Sequence, residues 1–402
     1  MPATSPKISL CSYTYNDARL LRGLLESVAT WTMQPDEVVL VDDGSTIPFV
    51  LRPEETAGLP ARCIRLPENR GFTVAKHTCI SAATGDIIVA VDCDSRLYPN
   101  FLECAAQQLS DPSIGMMSGC IGLTLSKDIL SSYLNVFGDR VYAEEPKDMD
   151  FLCGAGFALR REVWEEVGGF GGYDGRTCED HYLSHIIRER GYRLRLDSRT
   201  HVFHARRLTR HAFCQRIWKW CGEAWLRELR PGIPLPGHFQ LWFLNPILER
   251  CATIIPRFPQ EWLYLELLQI AFLASCFCNS LGTPDTLGAP GASCTSGRIS
   301  FNSGRAMQEV LWQKLAPYPK LRALLKADLL RAGLPPQGAL PQGQDDPQNG
   351  LGLRREWEPV FAFLDTFAAG GILQWLEETG MRLILEDEAR LDADYSTYAE
   401  GW

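Results

Sequence analysis

Residues Gly85 to Ser95 read GDIIVAVDCDS, and the fold turns on this stretch. Ile87, Ile88, Val89, Ala90 and Val91 form an unbroken apolar run, mostly β-branched, the pattern of a strand buried on both faces of a parallel sheet. The run ends on two acids, Asp92 and Asp94. If the strand continues through them, their side chains point the same way, because a strand alternates with period two. The carboxyl end of a buried strand is where open α/β sheets bind ligands. Two acids aimed together repel, and a hard divalent cation, Mn²⁺ or Mg²⁺, would relieve that repulsion while keeping positions open for substrate phosphates. The other reading is a turn in which Asp94 and Ser95 cap a following helix.

Toward the N-terminus the same pattern repeats. Lys7 to Ser12 and Glu37 to Val41 are strand-like, and Arg62 to Leu66 suggests a third strand. Ala18 to Trp31, with Leu20, Leu21, Leu24, Leu25 and Val28, has helical spacing, and Thr73 to Ala83 reads as the helix leading into the central strand. Strands alternating with helices imply βαβ units and a parallel sheet with right-handed crossovers. The loops Tyr13 to Asp17, Asp42 to Ser45 and Asp92 to Ser95 then lie at strand carboxyl ends and can converge on one crevice. Further on, Asn100 to Leu109 reads as a helix and Ile114 to Leu123 as a return strand, and Gly154, Ala155 and Gly156 permit close backbone approach. Glu179 and Asp180 open a helix that runs to Arg190, and Gly191 to Leu196 and Thr200 to His204 read as two short strands.

Composition bounds the partners. The chain of 402 residues is 46% hydrophobic and 22% charged, which suits a soluble globular protein of two or three domains. A net charge of −9 argues against nucleic acid bound along a general basic surface. The 14 cysteines are scattered, with no C-x-x-C pair. With no signal-like N-terminus, they read as reduced thiols of a cytoplasmic protein, mostly core filler.

Four ordered motifs carry a family resemblance: ISLCSYTYND, EVVLVDDGS, LPENRGFTVAKHTCISAATGDIIVAVDCDS, and FALRREVWEEVGGF followed by CEDHYLSHIIRERGYRLRL. From about Ile8 to Ala205 the chain resembles the family 2 nucleotide-sugar glycosyltransferases, which have the GT-A fold, a Rossmann-like, mostly parallel sheet flanked by helices. The resemblance implies an inverting transfer from a nucleoside-diphosphate sugar, UDP-linked by preference, to an acceptor hydroxyl, assisted by Mn²⁺ or Mg²⁺. It assigns Tyr13 and Tyr15 to the nucleoside, Asp42 and Asp43 to base and ribose, and Lys76 to the base or diphosphate. Asp92 and Cys93 complete the nucleotide-sugar site, Asp92, Asp94 and His204 the metal site, and Asp180 is the general base with Glu179 assisting or orienting it. His77 stands where the family often has Asn, and Tyr13 where it often has Pro or Thr. His181, His185, His201 and His211 read as structural or surface residues.

The second half is read as follows. Arg206, Arg207, Arg210, Arg216 and Lys219, with Phe213, Trp218 and Trp220 between them, make a solvated helix face, a closure over the diphosphate, or a contact with an anionic membrane surface at the inner face of the cell membrane. Trp262 to Leu281 is strongly apolar but is broken by Glu266, Gln269, Ser275 and Asn279, so it is expected as a buried or interfacial helix rather than a membrane span. Residues 1–207 are expected as the catalytic domain and 208–402 as a mainly helical region with loops near 283–300 and 334–352, shaping the acceptor site or an oligomer interface. The acceptor could be a glycan, a lipid-linked or protein group, or a small molecule. A nucleotidyltransferase of related fold is the alternative enzyme, but its glycine-rich, basic first loop is missing. A sugar-nucleotide-binding scaffold without turnover is the non-enzymatic alternative.

Overall fold

The computed structural model describes residues 5–56, 58–124, 128–137, 144–173, 178–205, 208–217, 245–257, 259–280, 308–334, 358–387 and 389. The chain divides into two compact units, Met1–Lys127 with Leu134–Arg207, and Asp128–Tyr133 with Leu208–Trp402. Its strands are β1 (Ile8–Thr14), β2 (Glu37–Asp42), β3 (Ala61–Arg65), β4 (Ile87–Val91), β5 (Ser95–Leu97), β6 (Ile114–Thr124), β7 (Lys147–Met149), β8 (Gly156–Arg160) and β9 (Arg193–His204). The principal helices are α1 (Ala18–Val28), α2 (Phe72–Ser81), α3 (Phe101–Gln108), α4 (Ile129–Phe137), α5 (Arg161–Val167), α6 (Glu179–Glu189), α7 (Arg210–Ile217), α8 (Asn245–Arg257), α9 (Trp262–Ser280), α10 (Pro319–Arg331) and α11 (Glu358–Ala369).

The first unit is built on one sheet in the order β3-β2-β1-β4-β8-β6-β9-β5, with β7 beside β9. Strands β1 to β4 are parallel, β6 and β9 run with them, and β5, β7 and β8 run against them. This is the mixed, mostly parallel α/β arrangement expected of the chain. Both faces are covered, which explains the unbroken apolar runs. Val38, Leu40, Val89 and Val91 pack against Leu21, Leu24 and Leu25 of α1 and Phe101 and Leu102 of α3. Val39, Val41, Ile88 and Ala90 pack on the other face against Ala75 and Ile80 of α2, Val163 and Trp164 of α5, and Leu183 and Ile187 of α6. Each buried Val, Leu, Ile or Phe among them contributes roughly 1.5–3 kcal/mol of transfer free energy.

Two local expectations change. Strand β4 stops at Val91, and Asp92 to Asp94 form a turn closed by the Ser95 N–H donating to the Asp92 carbonyl at 2.9 Å. The two acids therefore do not share one strand face by alternation, and Ser95 opens β5 rather than a helix. The two short strands expected at 191–196 and 200–204 are one strand, β9, whose register against β6 jumps from Gly119↔Asp197 to Cys120↔His201. Buried Asp197 holds that irregularity by accepting from the Arg199 N–H at 3.0 Å, the Arg199 side chain at 2.9 Å and Gln108 Nε2 at 2.9 Å. Arg199 lies two residues along the same strand, whereas Gln108 reaches in from α3.

The second unit is helical. Among the described residues no helix is long and apolar enough to cross a membrane, and α9 is buried from Trp262 to Leu273 and at Ser275 and Cys276. Of the polar residues that interrupt it, Glu266, Gln269 and Ser275 make side-chain hydrogen bonds to other helices. Glu266 accepts from Tyr133 Oη–H at 2.6 Å and from Arg250 of α8 at 2.8 and 3.1 Å, while Ser275 Oγ accepts from Gln308 Nε2 at 2.7 Å. Nearby, Asp328 of α10 accepts from Tyr264 Oη–H at 2.7 Å and Arg210 Nε at 2.8 Å. Glu377 caps α10 by accepting from the Lys320 and Leu321 N–H groups at 2.9 and 2.7 Å. Arg206, Arg207, Trp218, Lys219 and Trp220, the linker residues 283–297 and 335–352, and the tail from 390 onward lie outside the described residues.

Candidate active site

The carboxyl ends of β1, β2 and β4 meet the start of α2, the residues before β8 and the start of α6. The loops after β1 and β2 are tied to each other: the Asn16 N–H donates to Ser45 Oγ at 2.9 Å and the Thr46 N–H to Asn16 Oδ1 at 2.8 Å. Asp42, 1% exposed, accepts from the Ser45 and Phe49 N–H groups at 2.9 and 3.0 Å and from the Arg65 guanidinium. Burial pushes its carboxyl up, but hydrogen bonds from Ser45, Phe49 and Arg65 outweigh it and hold the pKa below the ordinary value. Asp43 accepts from the Arg70 and Gly71 N–H groups at 2.8 and 3.0 Å, and burial raises its pKa against them. Gly44 has φ of 69°, and a Cβ there would overlap the Glu68–Asn69 peptide. The D-D-G-S motif thus fastens the turn that launches α2. Turn-forming and ligand-binding residues are of the same types, so that duty could not be separated from ligand contact by sequence.

Lys76 is the centre of the arrangement. Its side chain is 3% exposed, and its Nζ lies 2.8 Å from Glu179 Oε1, 3.1 Å from the Gly154 carbonyl and 3.2 Å from Asp92 Oδ1. An ammonium has three protons, and three oxygens take them. The Tyr13 and Phe72 rings lie 5.6 and 5.9 Å from Nζ, within cation–π range. Burial pulls the Lys76 pKa down, but Asp92 and Glu179 together raise it above the ordinary lysine value, so the charge is retained. The ammonium, expected to face base or diphosphate, is turned into this cluster.

The carboxylates around it differ. Asp92 accepts from Tyr13 Oη–H at 2.8 Å, and both this contact and the Lys76 contact fall on Oδ1. Its side chain is 27% exposed. Burial, then Asp92 and Glu179, keep the Tyr13 phenol protonated as a donor. Asp180 accepts from the Gly154 N–H through Oδ2 and from the His181 N–H through Oδ1, each at 2.9 Å, leaving lone pairs on both oxygens. Glu179 is buried, and burial raises its pKa despite Lys76. Both acids sit in the first turn of α6, where unpaired amides favour anions. Gly154 leaves room for this approach: a Cβ there would make tight contacts, 3.1 Å from Glu179 Oε1 and 3.2 Å from Lys76 Nζ.

The Cys93 side chain packs in the core on the α1 and α3 side. His77 Nδ1 accepts the Phe170 N–H at 3.2 Å and its ring lies against Trp164, so it secures the segment after α5. Tyr15 is 46% exposed. His181 stacks on Phe151, His185 pairs with Glu189, and the His201 ring lies against those of Tyr98 and Phe203. His204 pairs with Ser95 across the β5–β9 ladder, and the Ala205 N–H donates to the Asp94 carbonyl at 2.7 Å. Asp92, Asp94 and His204 thus belong to adjoining backbone, but among the described residues no three His, Cys, Asp or Glu groups form a ready metal cage. Hard divalent ions bound with a diphosphate need only one or two carboxylates, with phosphate and water completing the shell. The donor set fits that use.

Comparison with known proteins gives a family match for part of the chain. Residues 9–168 match the model of Glycosyl transferase family 2. An uncharacterized glycosyltransferase, YwdF of Bacillus subtilis, is 35% identical over 106 residues, 26% of this chain and 38% of that protein. The glucosyl-dolichyl phosphate glucuronosyltransferase of Haloferax volcanii is 22% identical over 189 residues, 44% of this chain and 59% of that protein. The chain thus spans less than two thirds of the length of these curated relatives. Among solved structures, a mannosyltransferase of Pyrobaculum calidifontis in complex with GDP-Man and Mn²⁺ is similar at a TM-score of 0.42 and 21% identity, over 83% of this chain and 87% of that one. Asp180 and Glu179 lie beyond the matched segment, whereas Tyr13, Asp42, Asp43, Lys76, Asp92 and Asp94 lie within it, and residues 9–168 are a domain of Glycosyl transferase family 2.

Proposed function

We propose that the protein transfers a sugar from a nucleoside-diphosphate sugar, UDP-linked by preference, to an acceptor hydroxyl with inversion at the anomeric carbon. The observation that carries this reading is the Lys76 cluster: a strand-end aspartate of a family 2 domain, Asp92, shares one buried cation with Glu179, beside an Asp180 oriented by the Gly154 amide. Donor-side and acceptor-side carboxylates are thereby drawn together. Tyr15, Asp42 and Asp43 belong to the nucleoside side, the two aspartates acting chiefly by shaping the loop. Asp180 accepts the acceptor's hydroxyl proton while that oxygen forms its bond to the anomeric carbon. The bond to the diphosphate breaks on the opposite face, and the diphosphate leaves with the electron pair. Mn²⁺ or Mg²⁺ held by Asp92 and Asp94, with His204, would neutralise charge on the leaving diphosphate.

Calorimetric titration with UDP, GDP and dTDP, with and without Mn²⁺, tests the donor side on wild type and Asp92→Ala. Metal-dependent binding of one nucleotide, lost in the variant, is expected; no binding of any would remove the donor-site assignment. Proton NMR of the product with the matching sugar nucleotide tests inversion.

A further inference from the structure

The Asp92–Asp94 turn has a fastening that the transfer reaction does not explain. Arg96, on β5, folds its guanidinium back: Nη1 donates to the Cys93 carbonyl at 3.1 Å and to the Ser95 carbonyl at 2.7 Å, on either side of Asp94. Nη2 reaches α1, donating to the Leu20 carbonyl at 3.1 Å. The approach is possible because residue 23, one turn further along α1, is glycine. A Cβ there would occupy the position of Arg96 Nη2. A planar fork with several fixed donors can grip carbonyls on two elements at once, which a lysine cannot.

The proposed function supplies the context, since the inference rests on Asp92 and Asp94 holding the divalent ion. We propose that Arg96 is a positioning residue for the metal site, holding the Asp92–Asp94 turn in register by tethering it to α1 through the gap left by Gly23. Asp94 lies between the two gripped carbonyls, so its backbone cannot rotate without breaking one of those bonds. Ion geometry at this turn is then set from α1, an element that carries no ligand.

Titration of UDP, GDP and dTDP in Mn²⁺ and in EDTA, on wild type, Arg96→Lys, Gly23→Ala and the double variant, tests this. With the nucleotide that wild type binds, each single variant is expected to lose about tenfold in Mn²⁺-dependent affinity and to keep its affinity in EDTA. Because both substitutions act through one tether, the double variant should be no weaker than Arg96→Lys. Undiminished Mn²⁺-dependent affinity in Arg96→Lys and Gly23→Ala overturns the proposal, as does an additive loss in the double variant. If Arg96→Lys does not fold, as read by circular dichroism, Gly23→Ala decides by the same criterion. Wild type that binds nucleotide equally with and without Mn²⁺ overturns the metal role first and this inference with it; intact metal dependence with unaffected variants overturns the inference alone.

Discussion

Glu37 and Glu179 are both buried glutamates beside the same sheet, one at its amino-terminal edge and one at its carboxyl-terminal edge, and they are held in opposite ways. Glu37 opens β2 and collects donors: Ser9 Oγ–H at 2.6 Å, the Thr84 N–H at 2.6 Å, Thr84 Oγ1–H at 2.8 Å and the Arg62 guanidinium at 2.6 Å. Burial alone would push its pKa up, but these bonds bring it down to about 2. Glu179 has Lys76, which it shares with Asp92, and burial leaves its pKa raised. A carboxylate surrounded by dedicated donors is scaffold. One that shares a single cation with other acids keeps free energy available for a ligand or a proton to redistribute.

The largest effect that would sharpen this contrast is expected at Asp180, next to Glu179. Asp180→Asn should lower the transfer rate by about 10²–10⁴ while leaving the melting temperature close to wild type, measured with the matching donor and acceptor; an unchanged rate would place the base elsewhere. Next in size, Lys76→Met leaves buried Glu179 without its cation and should cost about 3–5 kcal/mol in denaturant unfolding. Lys76→Met combined with Glu179→Gln should recover much of that loss, because removing both charges of a buried pair is far milder than removing one. Glu37→Gln should cost about 1–3 kcal/mol and leave nucleotide affinity unchanged; a loss of affinity would break the division between the two ends.

The smallest effects are slopes with pH, and their signs are opposite. The folded pKa of Glu37 is about 2 against 4.5 for the ordinary group, so its stabilisation is complete above about 4.5 and is lost as pH falls toward 2. The folded pKa of Glu179 is raised. Between about 4.5 and that raised value the native state binds more proton than the unfolded chain, so the contribution of Glu179 falls as pH rises through that interval. Unfolding free energies of wild type, Glu37→Gln and Glu179→Gln measured from pH 3 to 8 separate the two; parallel pH curves for both variants would remove the distinction.

Much of the first unit was legible because periodicity reports burial. The apolar runs of β2 and β4 and the spacing of Leu21, Leu24 and Leu25 gave those elements within a residue or two, apart from the last turn expected of α1. The breaks in α9 at Glu266 and Ser275 likewise marked it as buried rather than spanning. Identity alone did not give partners. Nothing in the pattern around Lys76 says that its ammonium faces Glu179, 103 positions away, or that Asp42 is held by Phe49 and Arg65. Arg96 carried no signal at all, since its three acceptors are backbone carbonyls, which every residue possesses. Gly23 was equally silent until the guanidinium occupying its missing side chain was seen.

Tyr133 donates to Glu266 across 133 positions of sequence, and this has a consequence for synthesis on the ribosome. At about 5–20 residues per second, Tyr133 emerges on the order of 10 s before the carboxylate that accepts its hydrogen bond. Through that interval Asp128 to Tyr133, which belong to the helical unit, have no unit to join. The nascent chain therefore carries a delayed docking segment, open to chaperones until α9 arrives.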